Sequence, residues 1–463
     1  MSSLTDDLAA TIGAEHVLTG PDLMTGYTTD WTRRYQGTAT CVARPGTTAQ
    51  VAAIVQVCAR HRVAVVPQGG NTGLVGGAVP ANGGVVLSTR RLRRLDPVDT
   101  LAGQVTAGAG ITVAELQAHA AAAGLEYGIS LASRDSATVG GTIATNAGGL
   151  YTVRYGGTRA QLLGVEAVLA DGGVISRLGG VRADNTGYDL AQLLAGSEGT
   201  LGIVTAARLR LWPVEPHAVT MLTGVGGIET AVSLLAEIRS RAPGVRAAEY
   251  FEAAGLALVR AHTGLPAPLP RAYPAYLLVE VTGPADQAEH LARIAALEDA
   301  AVAVDPAGSA ALWAYRERHT EAISAAGVPH KLDIAVPVAS LAALRGALDG
   351  AVSAAALPGR TLRMIVFGHI GVGNLHVNVL GPDPADQAVD EAVLRLAAAH
   401  GGSISAEHGI GRAKVALLSD NRSAQEIGAM RAIKTALDPS GLLNPGVLFT
   451  SNRATCSPGR AFP

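Results

Sequence analysis

Cysteine is nearly absent: Cys41, Cys58 and Cys456 are the only three in 463 residues, and no two of them form a CxxC. That excludes a disulfide scaffold and a four-thiolate zinc or iron–sulfur site. Charge is sparse too, at 16% of residues, and 36 lysines and arginines nearly cancel 38 aspartates and glutamates. With no basic field to neutralise a phosphate backbone, no nucleic-acid partner is expected. The N-terminus, MSSLTDDLAATIGAEHVLTG, carries acids where a secretory signal carries lysine or arginine. Alanine-rich stretches further on are broken by charge or glycine before the roughly 18 residues of a membrane span. The expectation is a protein with no transmembrane segment and a cytoplasmic location.

Small and apolar residues are plentiful. Hydrophobic residues make up 48% and there are 56 glycines, the composition of a compact chain with many tight turns. The length predicts two or three domains with a sizeable core. TTAQVAAIVQVCARHR reads as a helix capped by Thr47 or Thr48, followed by the strand VAVVP and the turn QGGNTGLVGG. TVAELQAHAAAAG reads as a helix with a Thr112–Glu115 capping box, closed by Gly124. Residues 135–149, DSATVGGTIATNAGG, have too many small side chains for a packed amphipathic helix and read as backbone brought close to a partner. LLGVEAVLADGGVI is a hairpin around Asp171-Gly172-Gly173, and the following strand stops at Pro213. Beyond residue 214 the texture shifts to alternating strands and alanine-rich helices, one of which follows Pro384 and ends near His400.

Gly69, Gly70, Gly73, Gly76 and Gly77 follow a predicted strand, with Asn71 and Thr72 between them. Bare backbone lets amide N–H groups converge on anionic oxygens, with Asn71 and Thr72 as further donors: a pyrophosphate cradle. It is neither GxGxxG nor a P-loop, and taken alone it also suits a glycine hairpin without a ligand. Two further small-residue segments, Gly140, Gly141, Thr145, Asn146, Gly148 and Gly149, then Gly196-Ser197-Glu198-Gly199-Thr200-Leu201-Gly202-Ile203, make three close approaches. Together they suit a large, extended ligand. In the second half, His369 and His376 flank GVGN, and Glu407 precedes His408. Strand, turn and strand would set the two imidazoles side by side, and with one carboxylate they form a set for zinc or another divalent cation. Structural histidines in a polar interior remain the alternative from the residues alone.

PQGGNTGLVGG and GSEGTLGIVT resemble the FAD domain of the flavoprotein family typified by vanillyl-alcohol oxidase and p-cresol methylhydroxylase, over about residues 35–215. The resemblance implies an α+β fold: a two-subdomain FAD-binding domain, a substrate cap domain with an antiparallel sheet, and a C-terminal segment returning to the flavin. The boundaries expected are a helical lead-in at 1–34, the FAD domain at 35–213, the cap at 214–436, the returning segment at 437–449 and a frayed tail at 450–463. It implies flavin contacts from Pro67, Gln68, Leu74, Asp135 and Thr138 beside the glycine segments named above, among them Glu198, Gly199, Gly202 and Ile203. FAD is expected to be noncovalent, because the nearest histidine, His61, lies before the strand.

GHIGVGNLHVNV and SISAEHGIGRAK resemble the FAD-dependent D-2-hydroxy-acid dehydrogenases. That likeness implies His369, His376 and Glu407 as ligands of a divalent metal, zinc being the expectation, and His408 beside the reacting carbon. Asn378 shares a strand face with His376 and is implied as a substrate contact, which favours the hydroxyglutarate branch. WAYRERHTEAISAAGVPHKLDIAVP implies a carboxylate site from Arg316, Thr320 and Lys331, with Arg316 and Thr320 on one helical face. Val372 replaces the relatives' usual aspartate, a change expected to soften metal affinity. LDPSGLLNPG resembles the family's terminal segment and places Asn444 at the flavin. The expected reaction oxidises D-2-hydroxyglutarate to the 2-oxo acid, with His408 accepting the hydroxyl proton and flavin N5 the hydride. Without an iron–sulfur framework or a nicotinamide fingerprint, electrons would leave to a separate acceptor: an electron-transfer flavoprotein, a quinone or a soluble carrier. D-lactate or glycolate is the alternative substrate. An alcohol or sugar oxidase has no job for the metal set, and a subunit that merely holds FAD would not bleach with substrate. A homodimer is a family expectation only.

Overall fold

The computed structural model describes residues 2–450 apart from 82, 216, 284, 298, 384 and 385. Most of the expected tail, with Cys456, lies outside the described residues.

In the N-terminal half, Thr47 caps the helix Thr48–His61 by accepting from the Gln50 N–H, and Arg62 ends it in the left-handed region. The helix buries Val51, Ile54, Val55 and Cys58 against a four-stranded sheet ordered Val17–Leu18, Cys41–Ala43, Val85–Ser88, Val65–Gln68. The last three strands are parallel and buried along their length, so they read as apolar runs rather than alternations. A second, antiparallel sheet is ordered Gln104–Gly108, Ile203–Arg210, Leu162–Val168, Val174–Ser176. The Thr112–Glu115 capping box forms, as does the hairpin turning at residues 169–173.

One expectation fails here. Residues 135–149 contain a helix, Val139–Thr145, capped by Thr138 and closed by Asn146 in the left-handed region. Its small side chains serve close packing: a Cβ on Gly140 would lie 2.6 Å from the Ala109 Cβ. No amphipathic stripe is needed by a helix buried that tightly.

The C-terminal half is built on a seven-stranded antiparallel sheet, ordered Ala300–Ala303, Ala218–Val225, Ala275–Thr282, Val245–Glu252, Arg363–Gly368, Asn374–Leu380, His330–Ala335. One face carries Met221, Leu277, Val279, Val366, Val377, Leu332 and Ile334, packed under the helices Ile228–Arg241, Leu341–Ala355 and Ala388–Ala399. The other face carries Phe251, Tyr276, Leu278 and Phe367 beneath Trp313, Tyr315 and Ile323. Polar side chains gather at one end of this second face.

Val338–Ala355 departs from the expectation of no membrane-length apolar stretch, being long and apolar enough by length and composition. Its Leu341, Leu344, Leu348 and Val352 are buried against the sheet, while Arg345 pairs with Glu252 and Asp349. It is an amphipathic cover for the core.

The chain then returns to the N-terminal half. Leu443 bridges in parallel to Val65, and Lys434 Nζ donates to the Thr200 and Leu443 carbonyls.

Candidate active site

The glycine segments pack against one another. A Cβ on Gly69 would lie 2.3 Å from Thr138 Oγ1, one on Gly70 2.0 Å from the Ser136 carbonyl, and one on Gly199 3.0 Å from Pro67 Cγ. Gly73 differs, since nothing lies within 4 Å of its added Cβ. Asn71, Asn146, Glu198 and Asn444 all hold positive φ at these loops, a conformation side chains seldom adopt and one that concentrates at ligand sites.

Several side chains expected at the cofactor are spent elsewhere. Gln68 donates to the Tyr27 and Ala78 carbonyls, and Asn71 to those of Gly26 and Thr29, so the Asn71 amide adds no donor to the cradle. Ile203 is buried in the hydrophobic core, Gly202 abuts Leu194, and Asp135 is exposed. Glu198, buried, accepts 2.8 Å bonds from the Ile410 and Gly411 N–H groups. Gln68, Asn71 and Glu198 share one cause: a loop without side-chain bulk is held in shape by the few polar side chains it has. Thr72, Leu74 and Thr145 are half-buried, whereas Gly76 and Gly148 are buried. Gly76 is at positive φ beside Tyr35, Gly77 faces the Glu198 carboxylate, Gly141 lies at Thr138, and Gly148 approaches Glu407.

A cofactor fits what remains. Asn444 Nδ2 donates to the Gly77 and Glu198 carbonyls, while its buried Oδ1 has no partner among the described residues. A buried acceptor left open calls for a donor, which an isoalloxazine N–H provides.

The second cluster sits at the end of the large sheet. Gly368 ends one strand, the turn at Ile370–Val372 reverses the chain, and Asn374–Leu380 runs back beside it. A Cβ on Gly368 would lie 2.4 Å from the Asn374 carbonyl, so only glycine lets the two strand ends close up. His369 Nε2 then lies 3.2 Å from His376 Nε2 and 3.3 Å from Glu407 Oε1. Donors on a tetrahedral ion with bonds near 2.0 Å stand about 3.3 Å apart, so each of these two spacings from His369 suits a pair of ligands on one divalent cation. Val372 donates its N–H to the His369 carbonyl, and that turn is a backbone property.

Each imidazole turns its other nitrogen to a fully buried carboxylate. His369 Nδ1 meets Glu249 Oε1 at 2.6 Å, and His376 Nδ1 lies 3.5 Å from Asp333 Oδ1. Such outer carboxylates fix ring orientation and raise ligand basicity. Asp333, His376 and His408 also place donor atoms within 4.8 Å of one another. Asp333, however, already accepts from Asn374 Nδ2 and from the Glu407 and His408 N–H groups, and we read it as an orienting group. His408 stacks on His376 at 6.1 Å and lies 3.7 Å from Asp333.

The buried groups shift one another's titration. Burial alone would raise the Asp333 carboxyl, but His408, His376 and Lys414 hold it far below the usual range. Burial is likewise outweighed at Glu249 by His369 and Arg316, which lower it. Burial pushes Glu407 up and His376 well down. At His369 burial opposes protonation but Glu249 and Glu407 overcome it, so that imidazole is raised.

Of the expected carboxylate readers, Arg316 is buried, donates from Nε to Glu249 at 2.7 Å and lies over the Phe367 ring at 4.5 Å. Thr320 does not share its face. The helix Pro306–Glu317 ends at Arg318 and a new one begins at His319, leaving Thr320 exposed and His319 fully buried. Lys331 and Asn378 are register partners on adjacent strands, directly beside the pair Asp333 and His376, and burial lowers the Lys331 ammonium. Glu249 and Asp333 escaped the sequence reading. Their only signal is an acid inside an otherwise apolar strand pattern, AAEYFE and HKLDIA.

Fold and site together define an FAD-binding oxidoreductase. The C-terminal-domain model of FAD-linked oxidases matches residues 214–448 and an FAD-binding-domain model matches 39–177. The chain is 38% identical to the D-2-hydroxyglutarate dehydrogenase of Xanthomonas citri pv. viticola over 96% of its length and 97% of that protein's. The mitochondrial D-2-hydroxyglutarate dehydrogenase of Bos taurus is 36% identical over 95% of this chain and 82% of that one. In fold it matches a 4-ethylphenol oxidase from Gulosibacter chungangensis with a TM-score of 0.75 at 19% identity, over 98% of both chains. The chain belongs to the vanillyl-alcohol oxidase and p-cresol methylhydroxylase family of FAD-dependent enzymes, within its FAD-linked oxidase branch and close to the D-2-hydroxyglutarate dehydrogenases. The cytoplasmic expectation does not survive this comparison, because relatives from Bos taurus, Danio rerio and Arabidopsis thaliana are mitochondrial by name. An N-terminus without a secretory pattern does not assign a compartment.

Proposed function

We propose that this flavoenzyme oxidises a D-2-hydroxy acid, with D-2-hydroxyglutarate as substrate, assisted by a divalent cation, zinc, held by His369, His376 and Glu407. The observation that supports this reading is His369 Nε2 lying within 3.3 Å of both His376 Nε2 and Glu407 Oε1, with each imidazole backed by a buried carboxylate. The cluster borders the flavin side of the molecule, where a Gly148 Cβ would come within 3.3 Å of Glu407.

Bound in place, the cation supplies Lewis-acid polarisation of the substrate hydroxyl and FAD accepts the hydrogen leaving the α-carbon with its electron pair. The residues do the rest. His408, held to Asp333 through its own N–H, accepts the hydroxyl proton. Arg316 keeps its Nη groups for a carboxylate, its Nε being committed to Glu249. Lys331 and Asn378 lie two residues along their strands from Asp333 and His376, about 7 Å away. That spacing suits a second carboxylate, which supports the diacid over D-lactate or glycolate. Electrons then pass to a separate acceptor.

The test is anaerobic addition of D-2-hydroxyglutarate to the FAD-loaded protein while following the oxidised flavin absorbance. D-lactate, glycolate, the L-enantiomer and a chelator-treated sample run in parallel. Bleaching by the D-diacid alone, lost on chelation, is expected. Bleaching by the monoacids moves the assignment to the lactate or glycolate branch, and bleaching untouched by chelation removes the metal.

A further inference from the structure

Glu249 is fully buried in the strand Val245–Glu252, and its two oxygens serve two different groups. Oε1 accepts from His369 Nδ1 at 2.6 Å and Oε2 from Arg316 Nε at 2.7 Å. His369 belongs to the metal set, and Arg316 is the carboxylate reader of the functional reading above, on which this inference rests. Arg316 is itself pinned from the other side by the Phe367 ring at 4.5 Å, and Phe367 is the register partner of His376.

We propose that Glu249 is a positioning residue that couples the carboxylate-reading guanidinium to the metal ligand His369, so that the two halves of substrate recognition are set by one side chain. A carboxylate with no exposure has no water to satisfy it. Its orientation is therefore dictated by the two donors it bridges, and any change at one donor is felt at the other. Arg316 hydrogen-bonds to Glu249 rather than to His369, and through Glu249 it fixes the carboxylate that aims His369 Nε2 at the cation. Coupling of this kind is reciprocal: occupancy of the cation site orders Arg316 for its carboxylate, and a well-held Arg316 tightens the cation site.

The experiment measures Zn²⁺ affinity by competition with a chromogenic chelator on the full-length, FAD-loaded protein, for the wild type, Arg316→Lys, Glu249→Gln and the double variant. Arg316→Lys keeps the positive charge and loses the planar fork, so electrostatic repulsion of the ion is unchanged. It is expected to weaken Zn²⁺ binding at least about fivefold. Glu249→Gln, whose amide satisfies only one of the two donors, is expected to weaken it about 10- to 100-fold, as losses of outer-shell partners do. In the Glu249→Gln background Arg316→Lys is expected to add less than about twofold, the mark of a shared route. FAD retention and the thermal midpoint report folding, and Glu249→Asp, which keeps the charge and withdraws both oxygens by one methylene, stands in if the glutamine variant does not fold. An Arg316→Lys protein with wild-type Zn²⁺ affinity, or additive losses in the double variant, overturns the coupling while leaving the functional reading intact. A wild type that binds no Zn²⁺ overturns both.

Discussion

Glu198 and Gly411, 213 residues apart in the chain, are joined by a 2.8 Å hydrogen bond from the Gly411 N–H to Glu198 Oε2, and the other carboxylate oxygen takes the Ile410 N–H. Glu198 sits in the third glycine segment and Gly411 just past Glu407-His408. The same residue's carbonyl holds Asn444. Glu198 thus ties its own glycine segment to the Glu407–Gly411 loop through its carboxylate and to the returning C-terminal segment through its backbone carbonyl. Glu198→Gln replaces one acceptor by an amide facing an N–H, a mispairing worth about 1–3 kcal/mol. We expect FAD to stay bound while Zn²⁺ affinity falls, measured by chelator competition. Unchanged affinity would show that the latch does not position the metal loop.

His408→Ala removes the group assigned to the hydroxyl proton without touching the three metal donors. FAD and Zn²⁺ content are expected to match the wild type, with flavin reduction by D-2-hydroxyglutarate slowed at least about tenfold, within the usual range for loss of a general base. Stopped-flow absorbance measures it, and an unaltered reduction rate would remove His408 from the chemistry.

Gly70 and Gly73 separate packing from cofactor contact. A Cβ on Gly70 meets the Ser136 carbonyl at 2.0 Å, whereas one on Gly73 meets nothing within 4 Å. Gly70→Ala is expected to destabilise the protein by about 1–3 kcal/mol through overpacking. Gly73→Ala is expected to leave the apoprotein's thermal midpoint unchanged and, if the open space beside it is where the cofactor lies, to weaken FAD binding. Titrating apoprotein with FAD reads this out, and wild-type FAD affinity for Gly73→Ala would place that space outside the binding site.

Glu115 supplies a pH dependence of stability. The Arg93 ion pair, helped by the Thr112 capping contacts and against burial, lowers its carboxyl to about 2. A depressed folded-state value means that the contribution is present above the unfolded value of 4.5 and is lost as pH falls toward 2. The pair is partly exposed, so after solvent screening we expect about 1 kcal/mol. Denaturant unfolding of wild type and Glu115→Gln should differ by that amount at neutral pH and converge toward pH 2. A gap independent of pH would contradict the assignment.

Much of this protein was legible in the chain. Thr47, the Thr112–Glu115 box, the 169–173 turn and the two histidines astride GVGN are local events, governed by hydrogen bonds within a few residues, and local chemistry is written in local sequence. The helix at Val139–Thr145 was not legible, because its small residues answer to Ala109, a contact 31 residues away in the chain.

The candidate site divides along the same line. Residue types and spacing by themselves offered His369, His376 and Glu407 as a candidate cation set, with structural histidines as the alternative, and three bare backbone segments that suit a large ligand; the role of His408 came from the family resemblance. Only the tertiary structure decided which groups support them. Glu249 lies 120 residues from His369 and Asp333 lies 74 from Glu407; strand order in the seven-stranded sheet brings Glu249 beside His369 and Asp333 beside His376, and the loop packed over the sheet end brings in Glu407. The same holds for Glu198, whose bonds to the Ile410 and Gly411 N–H groups are visible only in the fold. A buried carboxylate must find donors wherever the packing brings them, and that is a property of the assembled interior.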